Sequence, residues 1–241
     1  MKTAAFITIT LISGAIAGTI LGAVNQVVVE PYIERAIEIE MESAQQSGEM
    51  INPIEFAAYR FWQKGGEIAA GTILGLSIGS LFGIVFAYGR GSALGSSNLK
   101  KALFIAGIMW IALFLVPALK YPANPPAVGD PETIYQRQGL YLAFLAISGF
   151  SALGLALLYN RVGTLPAKKV IIPAVYAAII SGAYFAMPAN PDQISVPLDL
   201  VVSFRIVSAL TITMFWVLLG VILGAFWDKL KPHETARISM R

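Results

Sequence analysis

The sequence contains no cysteine and a single histidine, His233, among its 241 residues. The lack of cysteine excludes disulfides, thiolate metal sites, cysteine nucleophiles and iron–sulfur clusters. A single histidine excludes a His–His metal pair or a Ser–His–Asp triad within one chain. A glycine loop of P-loop spacing is also missing, and no acid–base pair is positioned for hydrolysis. We therefore expect a protein that is not an enzyme and that holds no cofactor.

Charge is scarce as well. Charged residues make up 13% of the chain, about half the share in a typical soluble domain. The 17 Lys and Arg residues are scattered between apolar runs and do not form the contiguous basic face that nucleic-acid binding requires. We therefore expect no nucleic-acid partner.

What the sequence has instead is long apolar runs, since 56% of its residues are hydrophobic. A helix that crosses a bilayer needs about 20 mostly apolar residues. Such runs predict an all-α, polytopic membrane helix bundle with the lipid bilayer around it. We expect one membrane domain over 1–241, with six transmembrane helices arranged as three hairpins. The six runs are 3–24, 67–88, 102–119, 139–159, 170–187 and 200–227.

The distribution of basic residues predicts the orientation of the chain, because Lys and Arg are enriched on the cytoplasmic side of a membrane. With both termini in the cytoplasm, 11 of the 17 Lys and Arg residues lie inside and 5 lie outside. The acids show the opposite bias, with 12 of 14 outside or at the outer ends of spans. Below, "outer" and "inner" refer to these predicted sides. An acidic outer face concentrates cations, although topology bias alone could also produce it.

The first outer segment, 25–66, is acidic and predicted to be helical. Within it, 30–46 carries an apolar stripe and a second stripe of carboxylates at i,i+4 spacing. Like charges at this spacing repel one another, so a cation, a basic partner or water must neutralise them. The cation reading makes this stripe a candidate metal site. Its residues are Glu30, Glu34, Glu38 and Glu42, of which Glu34, Glu38 and Glu42 are the candidate metal ligands.

The string Pro-Ala-Asn-Pro occurs twice, at 122–125 after the third run and at 188–191 after the fifth. Each copy is followed by an acid and then an arginine, which suggests an internal parallel repeat. Proline stops a helix and Asn can cap the turn that follows, so the string makes a good outer turn. Its Asn side chains and carbonyls could instead offer oxygen ligands to a cation. The residues of the pattern are Asn124, Asp130 and Arg137 in one copy and Asn190, Asp192 and Arg205 in the other.

Two charges lie near or within the spans. Arg205 is about six residues inside the sixth run, where a charge is costly and usually faces a partner. Glu67 opens the second run, either as an acid favoured by a helix start or as part of a pathway. Both residues can belong to an outer gate or to a structural pair. The expected carboxylate partners of Arg205 are Asp199, Asp192, Glu67 and Asp130.

Glycines recur every four residues in three of the runs. Small residues at this spacing lie on one helix face and allow close helix packing in lipid. We expect tight packing between the first two spans. The glycines are Gly14, Gly18 and Gly22 in the first run, Gly71, Gly75, Gly79 and Gly83 in the second, and Gly220 and Gly224 in the sixth.

Several segments in this order resemble the CbtA-like family of integral membrane proteins, which are cobalt transporter subunits. They are the first span around Leu11–Gly18, the proline-rich loop Lys120–Pro131 that leads to Arg137 and Gln138, and the last span around Phe204–Gly220. The match gives Arg137, Gln138 and Arg205 a position in the family pattern but no assigned role. The family is usually assigned five spans, whereas the runs here predict six.

The resemblance implies a membrane component of a cobalt, or related divalent cation, uptake transporter in the cell membrane of a prokaryote. It also implies a small single-span partner protein and Co²⁺ as the transported ion. Homo- or hetero-oligomers remain open. The alternative is a non-transporting structural component that scaffolds a larger membrane protein complex. The tight glycine packing and the lack of histidine in the first outer loop favour it.

Overall fold

The computed structural model describes residues 2–48, 52–163, 166–191 and 194–232. Every regular element within these ranges is helical. A π-helical turn, Ile111–Leu115, joins α4 to α5, and a 3-10 turn, Pro131–Thr133, precedes α6. The α-helices are α1 (Thr3–Val28), α2 (Glu30–Gln46), α3 (Pro53–Gly89), α4 (Asn98–Trp110), α5 (Val116–Lys120), α6 (Ile134–Arg161), α7 (Lys168–Ala186) and α8 (Leu198–Leu230).

Six helical stretches are long and apolar enough to cross a membrane. Each predicted run lies within one of them to within one residue, so the predicted six-span, all-helical architecture is confirmed. The placement of the termini stays a prediction. The helices form two compact units, Met1–Gly107 with Ile206–Arg241 and Ile108–Arg205, which are described in turn. The single domain expected over 1–241 also stays a prediction.

In the first unit, α1 and α3 pack backbone against backbone. A Cβ atom added to Gly75 would lie 2.7 Å from Cα of Gly18, and one added to Gly79 would lie 2.6 Å from Cα of Gly14. Real Cβ atoms do not approach other backbones so closely, so only glycine permits this contact. The predicted tight packing of the first two spans is confirmed.

The inner end of the first unit joins α4 to α8 in a similar way. A Cβ atom on Gly224 would lie 2.6 Å from Cα of Leu99. Beside this contact, Asn98 donates to the Asp228 carboxylate at 2.7 Å. The guanidinium of Arg90 lies 5.6 Å from the ring centre of the buried Trp227. Close packing in this unit therefore extends to the glycines of the sixth run.

Helix α3 is much longer than the apolar run that predicted it. It begins at Pro53, with the Asn52 side chain accepting a hydrogen bond from the backbone N–H of Ile54. Its 37 residues correspond to about 55 Å, well beyond a hydrocarbon core of about 30 Å. The expectation that Glu67 opens a helix is therefore wrong, because the capped start at Pro53 places Glu67 in the middle of α3 and removes any stabilisation by a helix terminus.

The second unit is built from the outer part of the third span with α6 and α7. Val116, Tyr121 and Phe144 are buried together, and side chains of α7 pack against them. The rings of Tyr121 and Phe144 meet edge to face, with centroids 6.0 Å apart. Both α5 and α7 end two residues before the first proline of a Pro-Ala-Asn-Pro string, because a proline disfavours helix in the residue that precedes it.

Candidate functional site

The acidic stripe of α2 lies against basic residues of α3. Glu30 accepts a hydrogen bond from Arg60, and both side chains are largely buried, with 11% and 13% of their surface exposed. One turn along, Glu34 pairs with Lys64, whose Nζ also lies 3.8 Å from Glu30 Oε1. The two helices thus form a ladder in which carboxylates four residues apart meet bases four residues apart.

The rest of the stripe is open to solvent. Glu38 forms an exposed ion pair with Arg35 at 3.0 Å, one turn away on the same helix. Glu42 is exposed. The sequence left open whether a cation, a basic partner or water neutralises these carboxylates. In the structure, basic side chains of the same chain pair with Glu30, Glu34 and Glu38. The part of the chain that the structure describes holds no group of three or more His, Asp or Glu residues positioned for a metal ion.

Glu67 faces α1 beyond this ladder. A Cβ atom on Gly22 would lie 2.9 Å from the Glu67 carbonyl oxygen, so the two helices touch here. Glu67 Oε2 and Asn25 Oδ1 are both inaccessible to solvent and have no hydrogen-bond partner in the structure. Gln26, next to Asn25, donates to the Lys64 carbonyl at 2.5 Å.

The outer end of the second unit is held by side chains that donate to backbone carbonyls. Lys120 Nζ donates to the carbonyls of Tyr184 at 2.7 Å and Met187 at 3.1 Å, at the end of α7. Tyr121 donates its hydroxyl hydrogen to the Pro188 carbonyl at 2.6 Å. A positive side chain at a helix C-terminus is favourable, because the unpaired carbonyls there carry partial negative charge.

Arg205 binds the first Pro-Ala-Asn-Pro string. Its Nη2 donates to Asn124 Oδ1 at 2.6 Å, and its Nε donates to the Ala123 carbonyl at 3.2 Å. Of its expected carboxylate partners, Asp199, Glu67 and Asp130 form no ion pair with Arg205 among the described residues, and Asp192 lies outside them. The proline turn directs an amide oxygen and a free carbonyl at the guanidinium, so neutral oxygens satisfy it. The Asn124 side-chain oxygen accepts from Arg205, and among the described residues no backbone N–H of the following turn donates to it, so the predicted cap is not formed.

Arg137 closes the same loop from the start of α6. It donates to the carbonyls of Val128 at 3.2 Å and Asp130 at 3.1 Å. The Asp130 side chain caps the 3-10 turn by accepting from the Glu132 N–H at 2.8 Å. Gln138 is exposed. We call these contacts of Lys120, Tyr121, Arg137 and Arg205 the outer rim.

The second string differs from the first. Asn190 is half-buried, and Pro188 serves as an acceptor for Tyr121. Asp192, the acid that follows, lies outside the described residues. Between the two loops, Ser195 donates to the carbonyl of Ala127 at 2.6 Å, and Ala127 itself has a positive φ of 66°. The sequence repeat therefore recurs as two helix ends with different contacts.

A polar cluster lies inside the second unit, and the sequence did not single it out. The π-helical turn makes Val116 donate to Ile111, five residues back. In the same pattern residue 117 would donate to the Ala112 carbonyl. Pro117 has no N–H, so this backbone hydrogen bond is missing. The buried Ser148 donates to that carbonyl at 2.5 Å and bonds the Tyr176 hydroxyl at 2.7 Å. Pro117 within an apolar run was the one available signal.

Comparison with known proteins identifies one family. A family model described as "Probable cobalt transporter subunit (CbtA)" matches residues 3–228. No curated protein and no solved structure matches the chain. The matched stretch contains all six candidate membrane-spanning helices except the last residues of α8.

Proposed function

The chain belongs to the CbtA family of probable cobalt transporter subunits, and from that premise we propose that it is the main membrane-spanning component of a Co²⁺ uptake system in the plasma membrane of a prokaryote. The observation that carries the proposal is the family match over residues 3–228 of a chain with six apolar helices. One component of a transporter works with others, and we propose a small single-span protein as its partner.

The exposed part of the α2 stripe gives the first contact with the ion. Glu34, Glu38 and Glu42 lie on one face of α2, four residues apart. The pairs that Glu34 and Glu38 make are exposed, and exposed ion pairs contribute only about 0–1 kcal/mol. Arriving cations can therefore exchange with Lys64 and Arg35. The stripe raises the local cation concentration and does not need to form a closed coordination shell.

The outer rim then acts as the outer gate. Its loops offer carbonyl and amide oxygens, the ligand type that suits hard cations, and Arg205 and Lys120 already occupy several of them. In this proposal the protein's own cationic side chains hold the rim closed. Opening transfers those oxygens to the passing ion. The residues proposed for the gate in the second unit are Asn124, Asp130, Arg137, Gln138, Asn190, Asp192 and Arg205. Glu67, in the first unit, is proposed by itself as a gate or pairing residue.

Uptake of labelled Co²⁺ tests the function directly. The host lacks its own cobalt importers and expresses the chain with and without the small single-span partner. We expect saturable uptake that requires this chain. If uptake is absent in both cases although the protein is inserted, the transporter proposal fails. Copurification with large partners in fixed stoichiometry would then support the scaffold alternative.

A matched pair of variants tests the α2 stripe. The triple variant Glu34→Gln, Glu38→Gln and Glu42→Gln should lower uptake several-fold at limiting Co²⁺ and leave the maximal rate unchanged, because only capture is weakened. The control triple Glu40→Gln, Glu55→Gln and Glu132→Gln removes the same charge from other predicted outer positions. If both triple variants lose the same amount of uptake, the overall negative charge of the outer face attracts the cation and the stripe has no specific part in it.

A further inference from the structure

Four helix ends meet at the inner end of the first unit. The backbone N–H of Lys2, just before α1, donates to the carbonyl of Pro232, just after α8, at 2.7 Å. At the start of α4, Asn98 donates to Asp228, near the end of α8, at 2.7 Å. Arg90, which follows α3, donates to the Asn98 side-chain oxygen at 3.5 Å. The ends of α1, α3, α4 and α8, four candidate membrane spans, therefore lie at one level.

This end of the unit carries far more positive than negative charge. Residues 1–10, 86–107 and 220–232 contain six Lys and Arg residues and one acid, Asp228, whose carboxylate accepts from the neutral amide of Asn98. Residues 233–241, which lie outside the described residues, add one acid and two arginines. We call the six cations the basic inner surface. They are Lys2, Arg90, Lys100, Lys101, Lys229 and Lys231.

The protein does not neutralise this surface as it neutralises the bases near α2. Arg60 and Lys64 pair with carboxylates of α2. None of Lys100, Lys101 and Lys229 forms an ion pair with a described residue, and Lys100 and Lys229 are exposed. Like charges gathered at one end of a molecule repel one another, so an external anion would lower their energy.

The start of α4 is the part of this surface where an anion gains most. Lys100 and Lys101 lie in the first turn of α4, where the helix itself carries a partial positive charge. The loop before α4 folds onto this turn, since a Cβ atom on Gly95 would lie 2.8 Å from Cβ of Lys100. Cations are unfavourable at a helix start and anions are favourable there, so this turn favours a bound anion.

Exposed apolar side chains beside the cations favour a lipid over a soluble anion. Leu94, in the glycine- and serine-rich loop between α3 and α4, has 66% of its surface exposed, and Tyr88, in the last turn of α3, has 87%. Tyrosine is enriched where a membrane meets water. Clusters of Lys and Arg at the inner membrane surface attract anionic lipids. Charge and apolar surface thus occur together, as a lipid with an anionic headgroup requires.

We propose that the basic inner surface binds the phosphate headgroups of anionic phospholipids in the inner leaflet, with Lys100 and Lys101 at its centre. The headgroup phosphate lies against the lysines, and the acyl chains lie against the apolar surface of the adjoining spans. The binding does not depend on which ion is transported. Topology bias also places cations on this side, but it predicts no preference for one lipid over another once the protein is inserted.

Lipid binding to the purified full chain tests the proposal. Native mass spectrometry in detergent counts the bound lipids when phosphatidylglycerol or phosphatidylcholine with the same acyl chains is added. The wild-type chain should bind the anionic lipid about tenfold or more tightly than the zwitterionic one. The triple variant Lys100→Gln, Lys101→Gln and Lys229→Gln should lose most of this preference. Lys100→Arg, Lys101→Arg and Lys229→Arg together should retain it, because the charge is kept.

A matched control removes the same charge elsewhere. Arg35→Gln, Arg161→Gln and Lys169→Gln together replace three exposed cations outside the basic inner surface, and this variant should keep the preference. Equal binding of both lipids by the wild-type chain overturns the proposal, and so does an equal loss in the two Gln variants. Gel filtration and thermal melting establish that each variant is folded. Lys100→Gln alone, at an exposed position, tests for the same loss if the triple variant does not fold.

Inorganic phosphate distinguishes a lipid from a soluble anion as the ligand. Phosphate and chloride at equal ionic strength screen the lysines to the same extent, so both should weaken the binding of phosphatidylglycerol equally. If phosphate displaces the lipid where chloride does not, the surface takes a soluble phosphate and the assignment to lipid is wrong.

Discussion

The contacts inside the first compact unit differ in kind from those inside the second. In the first, α1 and α3 meet where side chains are missing, and glycine backbones lie against each other at Gly14, Gly18 and Gly75. In the second, side chains reach across to backbone carbonyls, as Lys120 and Ser148 do. Lipid tails are as apolar as leucine, so burial of apolar surface drives neither arrangement. Close van der Waals contact stabilises the α1–α3 pair of the first unit, and hydrogen bonds to backbone carbonyls stabilise the outer end of the second.

The difference determines which changes each unit tolerates. Backbone contact has no side chain that can move aside, so an added methyl group forces the helices apart. A hydrogen bond from a side chain can be lost while the helices stay in place. We therefore expect large and abrupt effects in the first unit and smaller, graded effects in the second.

The largest effect is expected for Gly75→Leu. The new side chain would meet the backbone of Gly18, whose Cα lies 2.7 Å from the position of the Cβ. Separation of α1 from α3 should lower the free energy of unfolding by about 3 kcal/mol or more. Thermal unfolding in detergent measures the change. Gly182→Leu on α7 is the control, because a Cβ there meets nothing within 4 Å. Similar melting of both variants would contradict the backbone-contact account.

An intermediate effect is expected for Ser148→Ala. It leaves the Ala112 carbonyl without its donor and should cost about 1–2 kcal/mol. Pro117→Ala restores an N–H in the same turn. A double-mutant cycle should therefore show that Pro117→Ala reduces the cost of Ser148→Ala. Additive effects would mean that Ser148 does not replace the hydrogen bond that proline removes.

The smallest effect is expected at the outer rim. Asn124→Ala removes one of the two acceptors of the half-buried Arg205, while the Ala123 carbonyl remains. Solvent can replace part of the loss, so we expect a cost of about 1 kcal/mol. Gln138→Ala, at an exposed position, should leave the unfolding free energy unchanged. If Asn124→Ala is as harmful as Gly75→Leu, the contrast between the units is wrong.

Much of the fold could be predicted because lipid imposes strict local rules. The apolar runs, the glycine spacing and the prolines at 122–125 and 188–191 each act on neighbouring residues, and each predicted its element. The segment before Glu67 was predicted to be helical, but its continuity with the second run was missed, because Gly65 and Gly66 suggest a break before Glu67. Pro53 and the Asn52 cap were the available signals.

The site was harder to predict because it depends on pairing between distant residues. The i,i+4 spacing of Glu30 and Glu34 matches that of Arg60 and Lys64, so the ladder could have been found by comparing the two segments. No such pattern links Arg205 to Asn124, since any oxygen could serve a guanidinium. The π-helical turn leaves no mark in the sequence beyond Pro117.

The glycine contact between α1 and α3 forms only after both helices have been synthesised, so it has a consequence for biosynthesis. At about 5–20 residues per second, the ribosome needs roughly 3–11 s to proceed from the end of α1 at Val28 to Gly83 of α3. During that interval α1 is in or beside the translocon, and its glycine groove, formed by Gly14, Gly18 and Gly22, is not yet covered by α3. The groove is then the surface that an insertase or a wrong helix meets first. Correct assembly of this protein therefore requires that α1 forms no stable contact with a wrong helix before α3 has been made.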